Sequence, residues 1–108
     1  MTLLSLSKLH IVGSNAFDGC KQLSLVILGQ SSTTPSIHPK AFYNCSSLKS
    51  IYIYASKVAS LIMSTAFSGT HTSLSIYVPY SLLSSYKTAT NWAYFSNKLY
   101  SIPEDAFP

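Results

Sequence analysis

Arginine is absent from this 108-residue chain, and all seven cations are lysines, at positions 8, 21, 40, 49, 57, 87 and 98. Lysines set singly along a chain keep a surface in solution. Specific nucleic-acid binding favours clustered cations and bidentate arginine. Nucleic acid is therefore not an expected partner, although the formal net charge is +4. Acids are scarcer still: Asp18, Glu104 and Asp105. The last two are adjacent in a tail, whereas a general acid–base pair needs two separately tuned environments. His10, His38 and His71 share no register and show no metal-ligand spacing. Neither a Gly-x-Ser-x-Gly elbow nor a phosphate-cradling glycine motif occurs. No catalytic residue, cofactor or metal is expected, and the chain reads as non-enzymatic.

Long apolar runs are missing too. None reaches the ~20 residues that cross a bilayer, so membrane insertion is not expected. Met1 to Val12 is interrupted by serine, lysine and histidine and does not read as a secretory signal. The two cysteines, Cys20 and Cys45, are too few for a zinc site without partners. Each reads as a small buried apolar residue. A disulfide between them, if their layers stack about 4.8 Å apart, is the less favoured alternative.

What the chain has is a period. Ala-Phe occurs at Ala16-Phe17, Ala41-Phe42 and Ala66-Phe67, 25 residues apart both times. Val12, Ile37 and Ile62 keep the same phase, as do Cys20, Cys45 and Thr70; Val26, Ile51 and Ile76; and Leu28, Ile53 and Val78. Five columns in phase over three copies mark a stacked repeat architecture. In the middle copy, Ile37 to Phe42 leads into a short helical or 3₁₀ turn near Asn44-Cys45. Alanine permits close approach there, and phenylalanine fills the space between layers. Lys49 to Tyr54 then alternates like a strand with one buried face. Ile51 and Ile53 point inward; Ser50, Tyr52 and Tyr54 point outward. The third copy slips, with Leu74 one place late relative to Leu23 and Leu48. Leu3 lies one period before Leu28, so Met1 to Leu4 is expected to form a partial strand of an earlier repeat. Gln30 to Ser36 reads as a polar loop, and Ser56 to Met63 as a short strand or 3₁₀ turn on a second face.

The period breaks after Val78-Pro79. From Tyr80 to Phe95, Leu82, Tyr86, Ala89 and Ala93 lie on one helical stripe that Leu83 and Trp92 broaden. Ser81 suits an N-cap, and Asn91 weakens the final turn. Lys98 to Ile102 suits one more strand, and Ile102 to Phe107 restores the Ile-to-Ala-Phe spacing. The expected organisation is repeats over 1–79, with a partial repeat at 1–11, and a C-terminal helical cap and tail over 80–108. Such a helix would cover the apolar end and unpaired strand edges of the last coil.

The candidate binding residues are outward ones. Ile27, Tyr52 and Tyr77 share one column, with Leu25, Ser50 and Ser75 on one side and Gly29, Tyr54 and Pro79 on the other. Leu25, Ile27, Tyr52, Tyr54 and Tyr77 form the candidate contact strip, because tyrosine offers rigid area with a polar tip and also stacks on sugar rings. The same residues suit a sheet that binds nothing, since cross-strand aromatics stabilise strands by themselves. A second reading makes the chain an assembly module, a surface-layer or virion component that self-associates or joins further repeats through an uncapped N-terminal edge at Met1–Leu4.

These residues resemble the BspA-type leucine-rich repeats found in surface proteins of gut and oral bacteria, in some protozoa and in some phages. That unit runs roughly I-G-x-x-A-F-x-x-C-x-x-L-x-x-I-x-I. Val12-Gly13-Ser14-Asn15-Ala16-Phe17-Asp18-Gly19-Cys20-Lys21-Gln22-Leu23, followed by Val26 and Leu28, is similar to it throughout. The second copy departs at His38, and the third at Met63, Thr70 and Ser73. Ile76 to Pro79, then Ser81-Leu82, Tyr86-Lys87, Ala89 and Asn91-Trp92, resemble the terminal segment that closes such arrays. The resemblance implies a leucine-rich-repeat solenoid of short parallel strands, closed by a C-terminal amphipathic helix. It also implies a recognition or adhesion role with a protein or glycan partner, at a cell surface or outside the cell, a virion being the alternative. A fold of this kind hosts many functions.

Overall fold

The computed structural model of the chain describes residues 2–6, 8–30 and 32–102. The elements in order are β1 (Thr2–Leu6), β2 (Ile11–Val12), β3 (Leu23–Leu28), β4 (Ser36–Ile37), β5 (Ser50–Ile53), β6 (Ser60–Leu61), a 3₁₀ turn (Ser64–Phe67), β7 (Ser75–Pro79), a 3₁₀ turn (Tyr80–Leu82), α1 (Leu83–Thr88), a kinked 3₁₀ segment (Trp92–Lys98) and β8 (Leu99–Ile102). They build two parallel sheets. One has the order β1-β3-β5-β7-β8, and the other β2-β4-β6. The first three coils each pass through one strand of each sheet, while the helical segment follows β7, and the core lies between the sheets.

The register follows the 25-residue columns through the middle of the stack. Leu25 pairs with Ser50 and Ser50 with Ser75; Val26 pairs with Ile51 and Ile51 with Ile76. The alternation works as hydrophobic patterning requires: Val26, Leu28, Ile51, Ile53, Ile76 and Val78 are fully buried. At the turns, the phenylalanines form a ladder. Phe17 and Phe42 stack at 5.4 Å with a 7° interplanar angle, and Phe42 and Phe67 at 5.9 Å and 6°. The turn backbones bond between layers as well. Phe17 N–H donates to the Ala41 carbonyl at 2.8 Å and Phe42 N–H to that of Ala66 at 2.9 Å. Another column escaped the sequence reading: Gly19, Asn44 and Gly69 all adopt positive φ, at 74°, 58° and 78°. Glycine and asparagine are the residues that enter this left-handed region most readily.

Three register expectations are corrected. Leu6, not Leu3, sits opposite Leu28, and Leu3 pairs with Leu25. The connection from Leu6 to Val12 is three residues shorter than that from Leu28 to Ile37, which shifts the phase. The strand itself forms as expected but runs on to Leu6, while Met1 lies outside the described residues. Likewise Leu61, not Ile62, pairs with Ile37. Leu61 is 5 % exposed and Ile62 46 %. The chain takes one residue fewer from Ile53 to Leu61 than from Leu28 to Ile37. Finally, Ala41, Phe42, Ala66 and Phe67 are core, but Ala16 is exposed and Phe17 half-buried, because in the described residues a layer stacks on only one side of them.

After β7, the expected helical run from Tyr80 to Phe95 is in three pieces. α1 ends at Thr88, Ala89 is extended and Asn91 has φ 67°. Ser81 lies inside the Tyr80–Leu82 3₁₀ turn and caps nothing; no side chain caps that turn or α1. Tertiary hydrogen bonds explain the break. β6 is the outer strand of its sheet, with Ser60 N–H and Ile62 N–H directed to Pro35 and Ile37 of the preceding coil. Its alternate backbone groups face the other way and meet side chains of the helical segment. Ala59 N–H donates to the Tyr86 hydroxyl at 2.9 Å, Trp92 Nε1–H donates to the Ala59 carbonyl at 2.7 Å, and Asn91 Nδ2 donates to the Leu61 and Ile62 carbonyls at 2.8 Å each. One continuous helix would not present residues 86, 91 and 92 to a single strand. Tyr86 and Trp92 are fully buried on this edge, and Trp92 and Phe95 continue the phenylalanine ladder from Phe67. Ala93, expected on the apolar stripe, is exposed. β8 then pairs with β7 and extends the larger sheet. The tail from Pro103, including Glu104, Asp105 and the Ala106-Phe107 match, lies outside the described residues.

Candidate functional site

The outward face of the five-stranded sheet carries the candidate strip. Parallel pairing places Ile27 against Tyr52 and Tyr52 against Tyr77. The rings of Tyr52 and Tyr77 stack at 4.5 Å and 11°. Tyr54, just beyond β5, has its amide on the Leu28 carbonyl at 2.9 Å, and its ring lies 6.3 Å from that of Tyr52. Leu25 and Ile27 are half-buried on the same face. All five candidate residues therefore lie in one region. The flanking column is narrower than expected: Gly29 and Pro79 are buried, and only Tyr54 of that trio remains outward.

The structure adds Tyr100. β8 pairs Tyr77 with Tyr100, whose rings lie 5.7 Å apart at 34°, and Tyr100 is 48 % exposed. It lies 23 residues after Tyr77, so the 25-residue period misses it. A signal was present in Leu99-Tyr100 of the expected last strand, an apolar residue followed by an aromatic one as in Ile76-Tyr77. The result is a row of three tyrosines on adjacent strands, with Ile27 at one end and Tyr54 alongside. Burial pushes the Tyr52 phenol above its ordinary range, and its tyrosine neighbours add to this. The face presents hydroxyls on flat rings, which can donate and accept hydrogen bonds while the rings supply contact area.

Groups with chemical reactivity are dispersed. Among the described residues, no cluster of three histidine, cysteine, aspartate or glutamate side chains could hold a metal. Asp18 accepts a hydrogen bond from Asn15 Nδ2 at 3.0 Å. His71 Nδ1 accepts from Ser73 N–H at 3.0 Å. Cys20 and Cys45 are free thiols; Cys45 is buried and donates to the Phe17 carbonyl at 3.0 Å, and burial raises its pKa. No helix of the described residues is long and apolar enough to cross a membrane.

A family model for the BspA type leucine rich repeat region, in six copies, matches residues 2–108. No curated protein and no solved structure matches the chain.

Proposed function

Because the chain belongs to the BspA-type leucine-rich repeat family, we propose that it is a non-enzymatic recognition or adhesion module that binds a protein or glycan through Leu25, Ile27, Tyr52, Tyr54, Tyr77 and Tyr100. Family members generally mediate protein binding and are generally surface-associated, which supports a place at a cell surface or outside the cell. The observation that carries the reading is the row of outward tyrosines, with Tyr52 stacked on Tyr77 and Tyr100 tilted against Tyr77. In this reading residues 1–79 are the repeats and residues 80–108 their cap. The test is a Tyr52→Ser/Tyr77→Ser double variant, with folding checked by circular dichroism and binding read by pull-down and glycan array. Loss of binding with the fold intact supports the reading. Undiminished binding, or a loss of stability alone, assigns the tyrosines to sheet packing.

Among the described residues no ring continues the ladder beyond Phe17, which supports a second reading, an assembly module of a surface layer or virion. β1 is an outer strand, Phe17 is half-buried and Ala16 exposed. Edges of this kind recruit further strands. Self-association that depends on concentration and is abolished by Phe17→Lys supports it. A clean monomer in light scattering overturns it.

A further inference from the structure

Gln22, Ser24, Ser47, Lys49 and His71 line an open groove of about 450 Å³. It lies where the chain enters β3 and β5, next to outward Leu25 and Ser50. Gln22 and Ser47 are one period apart, and so are Ser24 and Lys49, so neighbouring layers build the groove together. The backbone around it is pinned between layers. Lys49 N–H donates to the Ser24 carbonyl at 3.1 Å, Ser75 N–H to that of Lys49 at 2.8 Å, and His71 N–H to that of Leu48 at 3.3 Å. The Ser73 amide donates to His71 Nδ1, so the ring N–H is on Nε2, a donor. The lining thus brings together a lysine, an imidazole donor, an amide and the Ser47 hydroxyl, with the Ser24 side chain beside them and no carboxylate among the lining residues. The volume falls within the ~300–1,000 Å³ usual for ligand clefts.

One lysine among uncharged polar side chains fits a single negative charge. It suits a phosphodiester chain poorly, since that would call for several cations. Lys49 immediately precedes β5, the strand that carries Tyr52. A lysine and uncharged polar side chains at the entry of that strand match an extended ligand carrying both a charge and a ring face. We propose that this groove holds the acidic unit of an anionic glycan while an adjoining sugar ring stacks on Tyr52 and Tyr77, a proposal that rests on the strand face being the binding face. Lys49 pairs with the carboxylate or sulfate, and Gln22, Ser24, Ser47 and His71 hydrogen-bond its neighbouring hydroxyls.

The experiment is titration calorimetry of the full chain with three defined probes: a hyaluronan oligosaccharide, whose only charge is carboxylate; a sulfated heparin oligosaccharide; and a carboxyl-reduced hyaluronan. Binding to at least one acidic probe, about tenfold or more tighter than to the neutral one, is expected, as is a similar loss in Lys49→Gln. The two acidic probes separate carboxylate from sulfate recognition. Lys49 is exposed, so Lys49→Gln keeps the fold; Lys87→Gln, on α1, is the control for diffuse charge. Equal binding of the neutral probe, equal loss in Lys87→Gln, no loss in Lys49→Gln, or tighter binding of an acidic peptide each overturns the proposal. If Tyr52→Ser/Tyr77→Ser loses a different partner while Lys49→Gln keeps it, the groove fails and the strand-face reading stands. If Lys49→Gln alone loses the acidic glycan, the groove binds without the tyrosines and the strand-face reading fails.

Discussion

The indole of Trp92 donates its N–H to the carbonyl of Ala59 at 2.7 Å, across 33 residues of sequence. Ala59 stands at the outer edge of the smaller sheet, so this bond satisfies a backbone group that a further strand would otherwise take. Trp92→Phe keeps most of the buried ring and removes the donor. A buried acceptor left unmade costs about 1–3 kcal/mol. Trp92→Ala also opens a cavity beside Phe67 and Tyr86 and costs about 3–5 kcal/mol. Urea denaturation is expected to order stability as wild type, then Trp92→Phe, then Trp92→Ala. Equal midpoints for wild type and Trp92→Phe would show that the bond contributes nothing net.

The partner bond gives a pH dependence. Burial pushes the Tyr86 phenol up to about 12, against an ordinary value of 10, with the Ala59 N–H bond opposing the shift. Above pH 10 the unfolded chain releases this proton before the folded chain does. Stability from this group is complete below pH 10 and falls as pH rises towards 12, by on the order of 2–3 kcal/mol in all. Tyr86→Phe starts lower, because the buried Ala59 N–H loses its acceptor, and lacks that part of the alkaline slope. Urea midpoints from pH 8 to 12 for the two proteins check it, and parallel curves would sink the assignment.

How far the fold could be read from the sequence depends on where the period holds. Val26, Ile51 and Ile76 are in phase, buried and paired, because the coils between them keep the same total length of 25 residues. The reading slipped where connections shorten: Leu3 for Leu6 and Ile62 for Leu61, positions at which an apolar neighbour satisfies either phase. Hydrophobic pattern cannot choose between nearby apolar residues; backbone pairing does. The helix breaks for a reason outside its own sequence pattern, since Asn91 is held by carbonyls of Leu61 and Ile62, residues it meets only in the folded chain. In the candidate site, Tyr52 and Tyr77 were visible as a column, whereas Tyr100 joins through a strand outside the period. The groove around Lys49 combines residues from three coils, and no single stretch of chain displays it.

The cysteines occupy one repeat position but differ in environment. Cys45 is fully buried and bonded to the Phe17 carbonyl, while Cys20 is only half-buried. Thiolate is the reactive form, and burial raises the pKa of Cys45. In native protein near neutral pH, a thiol reagent is expected to label Cys20 well before Cys45, and both on unfolding without reductant. A single prompt equivalent from Cys45, or none after unfolding, would contradict the free-thiol arrangement.

The left-handed column separates conformation from crowding. Gly19 and Gly69 have nearly equal φ, 74° and 78°. A methyl group at Gly19 meets nothing within 4 Å, whereas one at Gly69 lies 3.1 Å from Asn44 Cα and runs into the Asn44 side chain. Gly19→Ala therefore carries the conformational cost alone, about 1–2 kcal/mol. Gly69→Ala carries the same cost plus displacement of a neighbouring turn, whose amide is bonded to Ser68 at 2.8 Å. Thermal melts are expected to place Gly69→Ala clearly below Gly19→Ala, and Asn44→Gly close to wild type. Equal losses at Gly19 and Gly69 would mean that the turns yield freely, and that the close stacking of layers at this column adds nothing to the stability of the repeat.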